Sequence, residues 1–315
     1  MTTQPGLVAV RGFSLIRASG ADAVHFLHGQ FTQKIEGLGG SCRSAGYCSP
    51  KGRLLAAMRA WLAEDGSVML MMPEVIAESF LKRIRMYVLR AKVTFTALEP
   101  APLMAAFIGE AGSKAAQALG LALPATGEAR RDAEKGLLLL GLQPAAAIEG
   151  FCAGGQRTLA IALPGTQAPL AAPADDGALF RASEEAAGVA QVYPETRELF
   201  VPQAANFELA GGVVFDKGCY PGQEVISRVQ HIGETNRRAA LGIAEGAAQV
   251  RPGDPVYAAG DEAGRVIDAV SIGGRTLVFF SATLAAIAEG ASLAADGPKL
   301  AAAPLPYAWK NAQNA

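Results

Sequence analysis

Cysteine and histidine are scarce in this chain, with 4 Cys and 3 His among 315 residues. The cysteines show no paired spacing, which excludes a disulfide framework. His25, His28 and His231 stand without any HExxH or CxxC element, so no metal site is expected. Cys42 and Cys48 do not make a ligand pair either: six residues of extended strand would separate them by roughly 20 Å. No run approaches the ~18 uninterrupted apolar residues of a spanning helix. The mean hydropathy of +0.22 therefore reflects alanine, not a membrane segment. Met1 to Arg11 lacks a basic stretch followed by an apolar one, and no secretory leader is predicted. Excess charge is missing too, since 28 Lys+Arg face 29 Asp+Glu for a formal net of −1. Neither phosphate-loop glycine pattern follows a strand. The expectation is a soluble, cytoplasmic protein with no resident metal and no membrane partner.

What the chain does have is apolar material, at 50% of residues, enough for two or three packed domains. Its charge is unevenly spread. Residues 1–100 hold 12 basic and 7 acidic side chains (+5), residues 101–235 hold 9 and 15 (−6), and the remainder balance at 7 and 7. Two readings stay open: a basic region that attracts an anionic ligand or RNA, or oppositely charged segments that dock on each other.

The pattern of elements is mixed. Val8, Val10, Phe13 and Leu15 predict an extended segment, and Asp22 opens a short helix by accepting backbone N–H bonds. A hairpin follows, with its turn at Ser49-Pro50-Lys51-Gly52 and a second strand through Trp61. Ile76, Phe80, Ile84 and Val88 recur every fourth residue and predict a helix from Pro73 to Arg90. The Lys82, Arg83, Arg85 and Arg90 cluster on that helix reads either as a solvated face or as a weak RNA surface. Short strands and helices alternate over 103–180, and short strands between Gly- and Asp-rich turns follow Asn236, which predicts a small antiparallel barrel.

One stretch carries chemistry: Lys217-Gly218-Cys219-Tyr220-Pro221-Gly222-Gln223-Glu224, followed by Arg228. Pro221 suits the first position of a helix, which would set Cys219 beside unpaired N–H groups, with the Lys217 charge two residues away. Both favour thiolate and should lower the thiol pKa. Gly218 would keep the sulfur accessible. The alternative is a buried cysteine in a tight turn.

This string resembles the signature of the YgfZ family, folate-binding proteins related to the T-protein (aminomethyltransferase) of the glycine cleavage system. Leu199 to Asn206, Phe26 to Thr32, Pro50 to Arg53, Leu89 to Val93 and Leu305-Pro306-Tyr307 are also similar to family segments, although His28 replaces the usual Gln. The resemblance implies an α+β fold: a three-domain ring with two mixed α/β domains and a C-terminal antiparallel β-barrel. Residues 1–102 plus 181–235 would form the folate-binding domain, 103–180 a small α+β domain and 236–315 the barrel. It further implies a central tetrahydrofolate site, with Phe13 and Phe180 in the places of pocket aromatics. The implied role is iron–sulfur cluster assembly or repair, affecting tRNA-modifying iron–sulfur enzymes. A cluster would be held transiently if at all, partners would be client or assembly proteins, and contact with tRNA would be indirect or weak.

Cys219 would be the reactive group, tuned by Lys217, with Gly218, Tyr220, Gly222, Gln223, Glu224 and Arg228 supporting the loop. The alternative is a folate-dependent aminomethyltransferase or another one-carbon transfer enzyme. Leu55 and Ala56 stand where aminomethyltransferases carry paired aspartates, which favours an accessory protein over a classical enzyme. The Ser183 to Gly188 segment also departs from the family's I-E-A-G, with Glu185 one place before the expected acid.

Overall fold

The computed structural model describes residues 6–170, 173–231, 235–246 and 249–309. Three five-stranded sheets organise them, and all the strand pairings within them are antiparallel.

The chain opens with β1 (Leu7–Ala9), β2 (Phe13–Ser19), α1 (Ala23–His28), β3 (Arg43–Cys48), β4 (Leu54–Leu62), β5 (Val68–Pro73), α2 (Glu74–Arg85) and β6 (Thr94–Ala97). Strands β3-β4-β5-β2-β6 form the first sheet. β4 reads Leu-Leu-Ala-Ala-Met-Arg-Ala-Trp-Leu and is buried almost throughout, as a central strand covered on both faces must be. α2 lays Ile76, Ala77, Phe80 and Ile84 into the core and ends at Arg85, earlier than the periodicity predicts. Beyond it the amides of Met86, Tyr87 and Val88 donate to carbonyls three residues back, so the chain tightens into turns. At α1, the Asp22 carboxylate takes the Lys92 backbone N–H at 2.7 Å and leaves its own helix uncapped.

Next come β7 (Met104–Ile108), α3 (Gly109–Ala118), β8 (Ala129–Asp132), β9 (Leu137–Ala145) and β10 (Gly155–Ala162). With β1 they make the second sheet, ordered β1-β7-β10-β9-β8. Then α4 (Ala178–Ala186) and α5 (Gln223–His231) lead to β11 (Arg237–Glu245), β12 (Pro255–Ala258), β13 (Asp261–Ile272), β14 (Arg275–Thr283), α6 (Leu284–Glu289) and β15 (Ala301–Ala303).

The C-terminal strands form a sheet ordered β12-β13-β14-β11-β15. Among the described residues no continuous ladder closes it into the expected barrel, and what links the edge region is isolated bridges, Tyr257 to Ser292 and Ser292 to Lys299. The physical reason is α6, which takes the chain out of the sheet after β14 and covers the face built from Ala240, Val266 and Phe280. Nor does Leu305-Pro306-Tyr307 form the closing strand. Pairing stops at Ala303, and the Tyr307 hydroxyl instead donates to Gly188 O at 2.8 Å.

Helix α4 joins the sheets. It touches β1 and β9 of the second sheet and β13 and β14 of the C-terminal sheet. Its Ala182, Ser183 and Ala186 are small enough to admit this crowding. One core runs through all of it, from Val8 and Leu142 to Leu277 and Phe279.

Candidate functional site: an exposed cysteine loop and a polar central cavity

The cysteine loop is held at both ends. Asp216 pairs with Lys34 at 2.7 Å, an exposed contact. The Lys217 ammonium donates to His28 O at 2.5 Å and Phe31 O at 2.6 Å, at the C-terminal end of α1. It also lies 4.7 Å from the centre of the Tyr220 ring, within reach of its π-face. Burial lowers the Lys217 pKa to about 8, against support from the charges of Glu36 and Cys219. The neighbouring His28 is lowered as well, by burial and then by Lys217. Tyr220 is buried, which raises its phenol.

Downstream, the loop is locked by one turn nesting in another. Gly222 has φ +80°, and a Cβ there would lie 2.6 Å from Gly52 Cα and 2.4 Å from Ser49 O. Gly52, at φ +70°, faces Val225 and Gly222 O in return. The Ser49 to Gly52 hairpin turn and the Tyr220 to Gly222 turn therefore fit only as glycines. This geometry corrects one expectation. Gly222 cannot continue a helix at positive φ, so α5 opens at Gln223 rather than Pro221, four residues beyond Cys219. The predicted helix end near Gly233 lies outside the described residues.

Cys219 itself is exposed, whereas Cys42, Cys48 and Cys152 are buried. Burial pushes the Cys42 thiol up to about 12 and raises the other two buried thiols. Gly218 has neither a positive φ nor any atom within 4 Å of a built Cβ, so nothing in its surroundings requires a glycine there. Gln223 Nε2 reaches Lys217 O only at 3.5 Å, and Glu224 meets Arg228 at 3.8 Å on the exposed face of α5. Gln203 does more to fix that helix, donating to Ile226 O at 2.8 Å.

A second arrangement went unseen in the sequence. Arg59 of β4, Arg157 of β10 and Glu184 of α4 meet in the interior. Arg59 Nη2 donates to Glu184 Oε2 at 2.5 Å and Arg157 Nη1 to Oε1 at 2.6 Å. Gln191 adds a bond at 3.1 Å. Burial would raise the Glu184 carboxyl, but the two guanidinium charges and their hydrogen bonds outweigh it and hold it below its ordinary value. Two cations against one anion leave a net positive charge, and Arg157 Nη2 has no partner among the described residues. Arg59 also lines a polar cavity of about 290 Å³ between the first and second sheets, with Arg43, Gln33, Gln143, Ser41 and Ser44. The signal that could have found this cluster is a lone arginine in an otherwise apolar strand, since such a charge needs a buried partner.

Phe13 and Phe180 are brought together, edge to face at 5.6 Å, but not at this cavity. Phe180 is fully buried, and Phe13 borders a separate groove of about 350 Å³ with Arg11, Glu74, Arg181 and Tyr193. Glu185, one residue from the hub, is buried beside Asp268 and Arg181 with neither oxygen hydrogen-bonded among the described residues; burial, then the Asp268 charge, raises its pKa well above the ordinary value. Leu55 and Ala56 are sealed in the core. His25 and His28 share Glu36, and no cluster of metal-binding side chains occurs among the described residues. No described helix is long and apolar enough to cross a membrane.

The architecture is that of the glycine cleavage T-protein. The aminomethyltransferase T structure from Bartonella henselae superposes with a TM-score of 0.65 at 15% identity, covering 96% of this chain and 86% of that one. Sequence comparison then narrows the assignment. The tRNA-modifying protein YgfZ of Edwardsiella ictaluri is 31% identical over 230 residues, 71% of this chain and 66% of that relative, just under two thirds of its length. The YgfZ of Sodalis glossinidius is 29% identical over 248 residues, 76% of this chain and 71% of its own. No family model matches. The chain belongs to the YgfZ family.

Proposed function

We propose that this chain is a tetrahydrofolate-binding accessory protein of the YgfZ type. It would act in assembly or repair of iron–sulfur proteins, including those that modify tRNA, and use Cys219 as its reactive thiol. The observation that carries the thiol role is the contrast among the cysteines: one exposed sulfur on a loop locked at both ends, and three buried ones. The relatives' designation as tRNA-modifying proteins supports the tRNA connection. Burial lowers the pKa of the Lys217 ammonium to about 8, and a charge on Cys219 is among the groups that support it.

For folate, the central cavity suits the ligand's polar parts. Its volume lies at the lower edge of the ~300–1,000 Å³ typical of ligand sites. Arg43 and Arg59 would face the carboxylates or the pterin oxygen, and Gln33 and Gln143 would hydrogen-bond the ring edge. The buried excess charge at Arg59, Arg157 and Glu184 favours an anion there. Tetrahydrofolate would supply a one-carbon carrier when bound, and the side chains of Arg43, Arg59, Gln33 and Gln143 would position it. The Phe13 groove is the second place for a pterin face. Leu55 and Ala56 offer no proton acceptor, so the aminomethyltransferase alternative has no acid at that position.

Titration of 5-formyltetrahydrofolate by calorimetry tests the reading. Gln143→Ala should weaken binding about tenfold, the equivalent of one lost hydrogen bond of about 1.4 kcal/mol. Phe13→Leu should leave it unchanged if the central cavity is the site, and weaken it if the Phe13 groove is. No heat with the native protein at millimolar ligand would end the folate reading. For the thiol, Lys217→Met should slow iodoacetamide alkylation of Cys219 severalfold at pH 7; equal rates would remove Lys217 from the site.

A further inference from the structure

Between the C-terminal sheet and helix α5 lies a groove of about 460 Å³. The strand register decides what its floor carries. Arg265 on β13 stands opposite Ser281 on β14. On β11, Ala239 stands opposite Ser281 and Arg237 opposite Thr283. Because side chains alternate, Arg237, Ala239, Ser281, Thr283 and Arg265 share one sheet face. Further along, that face carries Leu241 and Phe279 and joins the main core. The core-facing side of this sheet thus runs past its support at one end, and there it presents arginines in place of apolar side chains. The facing wall is built by Arg53, directly after the Gly52 turn, and by Leu199, Val201 and Val229.

The guanidinium groups are positioned in advance. Arg53 Nη1 donates to Leu199 O at 2.6 Å and, at a long 3.4 Å, to Glu198 O. Arg237 Nη1 donates to Ala263 O at 2.7 Å. The remaining N–H groups of both have no partner among the described residues. Arg265 is paired with Glu262 at 2.6 Å, the single acid among the described lining residues. Three cations against one anion leave the groove with an excess of two positive charges. Ser281 is 1% exposed and its Oγ has no hydrogen-bond partner among the described residues. A buried hydroxyl left in that state calls for a ligand atom or a water. Every unpaired group named here except the hydroxyl is donor-only, so the complementary ligand is rich in acceptors and negatively charged.

We propose that this groove binds the phosphate of a nucleotide unit, with the sugar or base resting on Leu199, Val201 and Val229. Planar guanidinium forks match phosphate oxygens bidentately. Single-stranded nucleic acid is held without sequence readout in a basic groove beside aromatic rings on which bases stack, and Phe200 is the aromatic side chain in this lining. The same chemistry can come from a free mononucleotide or from an RNA strand. The inference stands independently of folate in the central cavity, which lies between the other two sheets. It places the nucleotide beside the hairpin turn that clamps the Cys219 loop.

The test is fluorescence anisotropy of a fluorescein-labelled single-stranded RNA decamer with the intact protein at 50–200 mM salt, with AMP as competitor. The Arg53→Gln/Arg237→Gln double variant should weaken decamer binding at least tenfold. It should also flatten the log–log salt slope by about 0.7, the contribution of the one single-strand phosphate that is no longer neutralised. Glu262→Gln should tighten binding a few-fold, a gain that unfolding cannot mimic. Arg83→Gln/Arg85→Gln on α2 should change nothing. Displacement of the decamer by AMP at matching nucleotide concentration supports a free nucleotide as the ligand; binding that AMP leaves intact supports a strand. The proposal is overturned if neither probe binds at millimolar concentration, if the double variant binds like the native protein, or if the α2 control loses as much.

Discussion

Glu184→Gln isolates the buried hub. The native carboxylate accepts from Arg59, Arg157 and Gln191 with its two oxygens, and the side chains of Arg59 and Arg157 are 6% and 0% exposed. Glutamine keeps one acceptor but turns the other position into an NH₂ facing a guanidinium N–H, and it leaves two buried cations without a counter-charge. Breaking a buried pair in this way costs about 3–5 kcal/mol, a large share of the ~5–15 kcal/mol by which proteins of this kind are stable. In a thermal melt at pH 7 the midpoint should fall by roughly 6–20 °C, taking 2–4 °C per kcal/mol for large domains. The pH dependence has a definite sign. Glu184 is held below its ordinary pKa when folded, so its stabilisation is complete above the unfolded value near 4.5 and disappears as pH falls through the folded one. Native and variant melting curves should therefore be farthest apart near neutrality and converge on acidification. A variant melting within about 1 °C of the native protein at pH 7, or a gap that persists unchanged to pH 3, would refute this account of the hub.

Thiol counting tests the cysteine geometry: Ellman's reagent should titrate one fast thiol in the native protein and four after denaturation, and two fast native thiols would contradict the burial of Cys42, Cys48 and Cys152. Gly222→Ala combines positive-φ strain with a collision against the Ser49 to Gly52 turn, and should destabilise by about 1–3 kcal/mol while speeding proteolytic cleavage between 215 and 223. Gly218→Ala, with nothing near its Cβ, should melt like the native protein; equal stability of both variants would mean that the two turns do not interlock.

What the sequence disclosed and what it hid divide along the distance over which each feature is determined. The hairpin turn at Pro50 to Gly52 and its two strands, β3 and β4, follow from local alternation and turn chemistry and formed where expected, whereas the extended segment expected over Val8 to Leu15 divides into β1 and β2 in different sheets. The end of α2 did not, because the apolar repeat continues to Val88 while the backbone has already tightened at Met86. That a closed barrel is not seen has a comparable reason. Short strands between Gly-rich turns are equally consistent with an open sheet, and only the placement of α6 decides between them. The cysteine motif was conspicuous as a string. Its mechanical partner, the turn that Gly222 fits against, lies 170 residues upstream and has no sequence mark that connects the two.

The hub shows why the hidden part bears most on function. Arg59, Arg157 and Glu184 come from three distant segments, and each alone looks like a mistake in an apolar run. Together they form a nearly satisfied cluster that pins the first sheet, the second sheet and α4 to one point. A fold selected for stability alone would gain by matching the charges or by filling the space with hydrocarbon. Instead the cluster keeps one surplus cation, an unpartnered Arg157 N–H and an adjoining polar cavity. An anionic ligand in that cavity, which Arg59 lines, would supply a counter-charge for the cluster, and its binding would stabilise the folded chain with the logarithm of its concentration over its dissociation constant. Ligand occupancy and the seating of α4 are therefore coupled through Arg59: a ligand that binds there must raise the melting midpoint of the native protein, and should raise it less in Glu184→Gln, where the same guanidinium is no longer held in place.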